Sequence, residues 1–464
     1  MSEDLILRAQ RWLESQHDAL LEDYRGLLQI PSLESDAEPN APFGPECRRA
    51  LDFMLELSER HGLNIHDLEG FAGWAEFGSG DKMIMSLGHV DVVPVGPGWK
   101  HEPFGAEVDN GYVYARGACD DKGPTMAAFY ATLAIKEIYG DPGVRVRHVF
   151  GCNEESGFKC VERYMQTEEV PTLGVAPDAG WPLIHGEKGI ADLVIDIPLP
   201  KGELELLEIS GGQRPNIVID HCRARVRVGS SVRDHIEVKL ADSWDRNLTF
   251  NWDGDVLEIE AVGKAAHGST PYNGDNAAIR ILRFLMEAAP LSQEKEFDRI
   301  FEAPHIGGNG VGISGSDEPS GPLTCNLGII QTIDESIRMT LNVRYPVTWS
   351  GEDLRNRAAK AIPSDWTIHS FSDSKPLYFP LDHPLVRTIC DAYETETGDR
   401  TPPGVMGGGT YARAVPNCVA IGTGWAGDGP AHETDERLKV DHLYKMARIY
   451  VRIFAGMIEA AKSS

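Results

Sequence analysis

Apolar residues recur at three- and four-residue spacing over about residues 3–29 and again over 46–61, which predicts two amphipathic helices at the start of the chain. The period then changes. "KMIMSLGHVDVV" is an apolar run closing in polar residues and reads as a buried strand. "GPTMAAFYATLAIKEIYG" returns to the helical period, with Gly140 as its stop. "VRVRHVFGCNEESG" and "LGVAPDAG" are further strands, each running out into acids. Strand alternating with helix predicts an α/β fold: a mostly parallel sheet with helices on both faces. Ligands of such sheets bind at the carboxyl ends of the strands. Three strands that each end in a histidine or an acid therefore point at one cleft.

Past about residue 190 the texture changes to alternating strands, "ADLVIDIPL", "ARVRVG", "VLEIEAVG" and "IRMTLNVRYP", with helical stretches near 275–288 and 351–361. From about 380 the first texture resumes, with a helix near 384–397, a strand at "CVAIGTG" and a long helix near 440–461. The expected organisation is an α/β domain from residues 1–190 and 380–464, interrupted by an inserted α+β domain over 191–379.

Composition narrows the function without naming it. The 464 residues suffice for more than one core, and 42% hydrophobic with 25% charged content is that of an ordinary globular protein. The start, "MSEDLILRAQRWLESQHDALL", has neither the basic opening nor the unbroken apolar run of a secretory signal. "MAAFYATLAI" is too short to cross a bilayer. The expectation is a cytoplasmic protein with no membrane partner. A net charge of −27 repels phosphate backbones, so no nucleic-acid partner is expected. The eight cysteines form no C-x-x-C pair and read as reduced, mostly buried thiols, with Cys119 and Cys152 as small spacers beside the candidate site. "GTGWAG" fits a dinucleotide fingerprint, but "DGPAHE" follows it in place of a helix.

The candidate chemistry lies in "GHVDVV", "ACDDKG", "CNEESG", "PDAG" and "GPAHETDE". His89 and Asp91, two apart in a strand, face the same side. Each group alone has a plainer reading: a polar strand end, a solvated helix start at Glu154 and Glu155, a turn at Asp178, a surface histidine at His432. Together they form a set of hard oxygen and imidazole donors that suits Zn²⁺, Mn²⁺ or Co²⁺ in a catalytic role. Two metals about 3.5–4 Å apart need an anion between them. Asp120 can bridge them with its two oxygens; Asp121, pointing the other way, would fix the turn.

Taken in order, "GHVDVVP", "YARGACDDKGPTMAA", "NEESG", "PDAG", "GKAAHGSTP" and "AHETDE" resemble the M20 family of metallopeptidases, and "DDKGPT", "GGGTYAR" and "NVRYP" resemble its dipeptidase branch. The resemblance implies two divalent ions, Zn²⁺ first and Mn²⁺ or Co²⁺ as alternatives. His89, Asp120 and Asp178 would hold one ion; Asp120, Glu155 and His432 would hold the other. It implies that Asp91 orients His89, that Glu154 is the general base, and that the Asp120–Asp121 peptide bond is cis. The resemblance makes residues 1–190 and 380–464 the catalytic domain and the insert over 191–379 its lid, from which His267, otherwise a loop histidine before Pro271, would stabilise the oxyanion. Arg344 and Asn216, otherwise a salt bridge and a turn, would bind the substrate's terminal carboxylate. Thr410 and Arg413 would touch the substrate or brace the glycine-rich loop. The implied activity is hydrolysis of the amide bond of dipeptides or similar short substrates, with the site complete in one chain. An N-acyl amino acid deacylase or desuccinylase, or a catalytically silent binding protein, are the competing readings; a metal-dependent phosphatase would need a phosphate-binding loop, and none is apparent.

Overall fold

The computed structural model describes residues 2–242 and 245–463 and divides into two compact units. The first comprises residues 1–185, 379–404 and 409–464; the second comprises 186–378 and 405–408. The breaks lie at 185/186 and 378/379, where the sequence places them at 190/191 and 379/380. The segment 405–408, which the sequence assigns to the catalytic domain, belongs with the second unit.

The first unit is built on a mixed sheet in the order Asn64–Asp67, Ala72–Phe77, Arg145–Gly151, Met83–His89, Leu173–Ala179, Cys418–Gly422 and the opening residues of Leu183–Glu187. Its four central strands, from Arg145–Gly151 to Cys418–Gly422, are parallel. The flanking strands are antiparallel, so the sheet is parallel only at its centre. The reason at one edge is chain length: only four residues link Asn64–Asp67 to Ala72–Phe77, and a parallel crossover needs a dozen or more. Two glycines show that helices cover both faces. A Cβ on Gly88 would lie 2.0 Å from Thr125 Oγ1 on the helix Lys122–Tyr139. A Cβ on Gly151, beside His89 in register, would lie 2.4 Å from the Tyr411 hydroxyl on the opposite face. Only residues without a side chain permit backbone and helix to approach so closely.

The helix Lys122–Tyr139 is buried over most of its length and ends at Gly140, whose φ of +67° is natural for glycine. The helical pattern over 3–29 is two helices, Glu3–Ser15 and His17–Leu28. At the break Ser15 donates to the Trp12 carbonyl at 2.6 Å, and a short polar side chain competing for a helix carbonyl is a local terminator.

The second unit carries an eight-stranded, wholly antiparallel sheet in the order Leu248–Asp253, Val256–Val262, His221–Val228, Leu204–Gly211, Thr324–Ile333, Ser336–Tyr345, Gly189–Pro198 and Thr367–Ser374. Strict alternation along Gly189–Pro198 and His221–Val228 turns one face to a core of Leu193, Ile195, Val226, Ile281, Leu285 and Leu341. The helices Ala277–Ala288 and Gly351–Ala361 bury their apolar stripes in the same core. No helix among the described residues is long and apolar enough to cross a membrane.

Candidate metal centre

The carboxyl ends of the central parallel strands bring the first unit's candidate residues together. His89 closes the strand Met83–His89, Asp178 lies at the end of Leu173–Ala179, and Arg145–Gly151 runs on into Glu154 and Glu155. Asp120 and Asp121 precede the helix Lys122–Tyr139, and the peptide bond between them is cis.

Asp120 presents its two oxygens to different histidines. Oδ1 lies 3.2 Å from His89 Nε2, and Oδ2 lies 3.0 Å from His432 Nε2. His432 Nε2 also lies 3.1 Å from Glu155 Oε1. One ligand atom each from His89, Asp120 and Glu155 falls within 4.8 Å of the others, and so does one each from His89, Glu154 and Asp178. Glu154 thus stands among the possible ligands as well as beside them. His89 Nε2 is buried and makes no hydrogen bond among the described residues despite its closeness to Asp120. A donor pair close together but out of line is what two ligands aimed at a common point look like.

Asp91 does more than face His89. The nearest acceptor to His89 Nδ1 is the Asp91 main-chain oxygen at 3.1 Å, with carboxylate Oδ1 at 3.5 Å. That carboxylate accepts the Glu154 N–H through Oδ1 and the Glu155 N–H through Oδ2, both at 3.1 Å. The residues of "DDK" then have separate tasks. Asp121 is buried and accepts from the His89 N–H at 3.2 Å and the Thr125 hydroxyl at 2.8 Å, tying helix start to strand end. Lys122 is buried and donates to the Leu27 and Ile30 carbonyls, and burial pushes its ammonium down to about 7.

The acids crowd one another. Burial pushes the Glu154 carboxyl up to about 8; His89 pulls against this, while Glu155, Asp91 and Asp120 add to it. Asp178 is raised by burial first and then by the charges of Asp120, Glu154 and Asp121. Burial works to raise Asp120 too, but His432 and His89 outweigh it and hold that carboxyl below the usual range. For His89, burial lowers and the carboxylates of Asp120 and Asp91 more than restore the proton. His432 is pushed up to about 10 by Asp120 and Glu155. Carboxyls driven up by burial and then by one another's charge, next to imidazoles whose protons the acids favour, form a donor set suited to divalent ions. Zn²⁺ and Mn²⁺ accept this mixture of nitrogen and oxygen ligands.

The second unit gathers the other candidates. Gly268, next to His267, donates its N–H to the Asn216 carbonyl at 2.7 Å, and His267 Nδ1 lies 2.7 Å from Ser269 Oγ. Thr324, opposite Arg344 in the sheet, donates to the Ser269 carbonyl. Arg344 is buried; it donates to Asn342 Oδ1 at 3.0 Å and to the Gly407 carbonyl at 2.7 Å. Thr410 and Arg413 lie in the first unit. Thr410 is buried and its hydroxyl caps the short helix Tyr411–Ala414 by accepting the Ala412 N–H. A Cβ on Gly409 would lie 2.3 Å from Arg413 Nη1, so the guanidinium is packed against the glycine-rich loop. Burial raises the thiols of Cys119 and Cys152, which accords with spacers rather than nucleophiles. Two residues that sequence inspection passed over complete the site's frame. Tyr411 sets its ring edge-on to His89 at 6.1 Å, and Glu436 lies buried under the Asp120 turn.

Residues 85–455 match the model of Peptidase family M20/M25/M40. The chain is 37% identical over 450 residues to the Bacillus subtilis (strain 168) protein named "Putative dipeptidase YtjP", covering 93% of this chain and 96% of that one. Among solved structures it is similar to the di-peptidase Dug1p from Saccharomyces cerevisiae, with TM-score 0.55, 15% identity and 98% of each chain covered. It is equally similar to an M20 family metallo-carboxypeptidase, Sso-CP2 from Sulfolobus solfataricus, with TM-score 0.55, 16% identity and coverage of 95% and 99%. At such identities the structures share the fold alone.

Proposed function

The chain belongs to Peptidase family M20/M25/M40, and from that premise we propose that it is a dipeptidase that hydrolyses the amide bond of short peptides at a pair of divalent ions. The reading is carried by one observation: the two oxygens of Asp120 point to two different histidines, His89 and His432. His89, Asp120 and Asp178 would hold one ion, and Asp120, Glu155 and His432 would hold the other. Zn²⁺ is the first candidate, with Mn²⁺ or Co²⁺ as alternatives. Bound there, such ions supply Lewis acidity, lowering the pKa of a water and polarising the scissile carbonyl.

The chain's own residues do the rest. Glu154 accepts the proton of the attacking water on its carboxylate and returns it to the leaving amine nitrogen. Its carboxyl, at about 8 before any ion binds, is drawn down by a neighbouring cation toward the range a base needs. Asp91 fixes where that carboxylate sits by holding the Glu154 and Glu155 amides. His267 donates to the oxygen that becomes negative at the tetrahedral stage. Arg344 and Asn216 take the substrate's terminal carboxylate, Arg344 by its forked guanidinium. The dipeptide assignment is supported by the name of the Bacillus subtilis relative and by its near-complete overlap with this chain.

The test is a panel of dipeptides, tripeptides and N-acyl amino acids, each assayed after chelation and after return of Zn²⁺, Mn²⁺ or Co²⁺. Dipeptide turnover that a chelator abolishes and a metal restores is the expected result. Turnover confined to N-acyl amino acids would make the protein a deacylase or desuccinylase of the same family. Ion binding without turnover of any member would make it a silent binding protein.

A further inference from the structure

Glu436 makes the densest set of contacts beside the acid cluster, and no step of the proposed mechanism uses it. It is 0% exposed, and so is buried with its charge partner Arg116, which is 1% exposed. Oε2 accepts from Arg116 Nη1 at 2.7 Å and from the Gly117 N–H at 3.1 Å. Oε1 accepts from the Cys119 N–H at 2.9 Å, the Asp120 N–H at 3.3 Å and the Cys119 thiol at 3.4 Å. The Glu436 main-chain oxygen accepts the Ala115 N–H at 3.1 Å. The turn 115–120 is therefore wrapped around one carboxylate, with three backbone N–H groups converging on it. Such a nest fixes the path of the backbone that forms it. Glu436 also stands four residues after His432, whose ring meets the free end of Asp120.

We propose that Glu436 is a positioning residue: by holding the amides of Gly117, Cys119 and Asp120, it sets the direction in which Asp120 offers one oxygen to each ion, and it locks the His432 loop to the Asp120 turn. The inference rests on the metal reading above. A carboxylate is required because every group facing it is a donor. An amide of the same size would turn its NH₂ toward an N–H or a guanidinium, and one contact would become a repulsion. Because Asp120 serves both ions, disturbing its direction weakens both together.

The experiment titrates the full-length, metal-stripped chain with Zn²⁺ or Mn²⁺ alone, comparing wild type with Glu436→Gln and following stoichiometry and affinity by calorimetry. Loss of an outer-shell partner typically weakens metal binding by about 10–100-fold, and Glu436→Gln is expected to lose that much at both ions. With excess metal, kcat falls while KM for a dipeptide stays near wild type. A control destabilised to the same Tm elsewhere in the unit, Ile458→Val or Ile458→Ala, keeps wild-type affinity. Should Glu436→Gln fail to fold, Arg116→Gln withdraws one donor of the same network and is expected to shift affinity in the same direction, by less. A folded Glu436→Gln, or in its place Arg116→Gln, that binds both ions as tightly as wild type overturns the inference alone. A wild-type chain that binds no divalent ion overturns the metal reading and this inference with it.

Discussion

The Asp91 carboxylate accepts the Glu154 N–H at 3.1 Å, joining the end of one parallel strand to the loop that follows its neighbour. The same carboxylate takes the Glu155 N–H, and its residue's main-chain oxygen faces His89 Nδ1. One residue thereby fixes a candidate base, two candidate ligands and the spacing between them. Asp91→Ala is expected to weaken metal affinity by about 10–100-fold, as removal of outer-shell partners does. Asp91→Asn keeps one acceptor oxygen and should lose less. Calorimetric titration of both variants checks the order; equal affinities for all three proteins would refute it.

Glu154→Gln should keep both ions and lose turnover. A positioned acid–base group contributes about 10²–10⁴-fold, so kcat is expected to fall at least that far. Glu154 stands within ligand distance of His89 and Asp178, which sharpens the measurement. Retained stoichiometry with lost kcat marks a base; loss of one ion per chain marks a ligand.

Metal binding should release protons and strengthen with pH. Burial and neighbouring charge raise the carboxyls of Glu154 and Asp178, and Asp120 and Glu155 raise the His432 imidazole to about 10. The metal-free site thus holds protons near neutral pH that a cation must displace, so affinity falls as pH falls. Calorimetry at pH 7 in buffers of different ionisation enthalpy should give a positive proton release. A release of zero would contradict the crowding of acids described above.

His148 should make the fold acid-sensitive. It is fully buried, stacked on Phe150 at 4.8 Å, and neither ring nitrogen has a hydrogen-bond partner among the described residues. Burial lowers its imidazole from 6.5 to about 3. The neutral form is the one the fold accepts, so its contribution is complete above pH 6.5. It is lost as pH falls from there toward 3, where the unfolded chain binds the extra proton. At pH 5 the loss is about 2 kcal/mol. His148→Phe should remove this component, so that urea unfolding at pH 5 and pH 7.5 differs less than in wild type by about that amount. An unchanged difference would count against it.

The site should be complete in one chain. Both edges of the second unit's sheet are polar: Thr249, Asn251 and Asp253 are exposed along one and Ser370, Ser372 and Asp373 along the other. Polar edges resist pairing with another copy. Sedimentation should show a 50.9 kDa species whose specific activity does not change on dilution. Activity that disappears on dilution, with a heavier species at high concentration, would show that a partner copy is needed.

The sequence by itself determined the donor types and where along the chain they fall. A strand buried on both faces must be a continuous apolar run, so its polar end is visible, as at His89 and Asp178. Period-2 alternation exposed the antiparallel insert for the same reason, since one face of each strand must meet a core. The strands Ala72–Phe77 and Leu183–Glu187 and the segment 405–408 were not legible, because their place depends on distant pairing partners and leaves no local period. Only the tertiary structure decided which donors meet. His432 and Glu155 are 277 residues apart and 3.1 Å distant, a contact created by the packing of the whole first unit. In the sequence Glu436 is only the last acid of "GPAHETDE". Its role depends on three backbone N–H groups turned inward by the residue 116–120 turn, and the direction of an amide is a property of the folded backbone that no side-chain letter records.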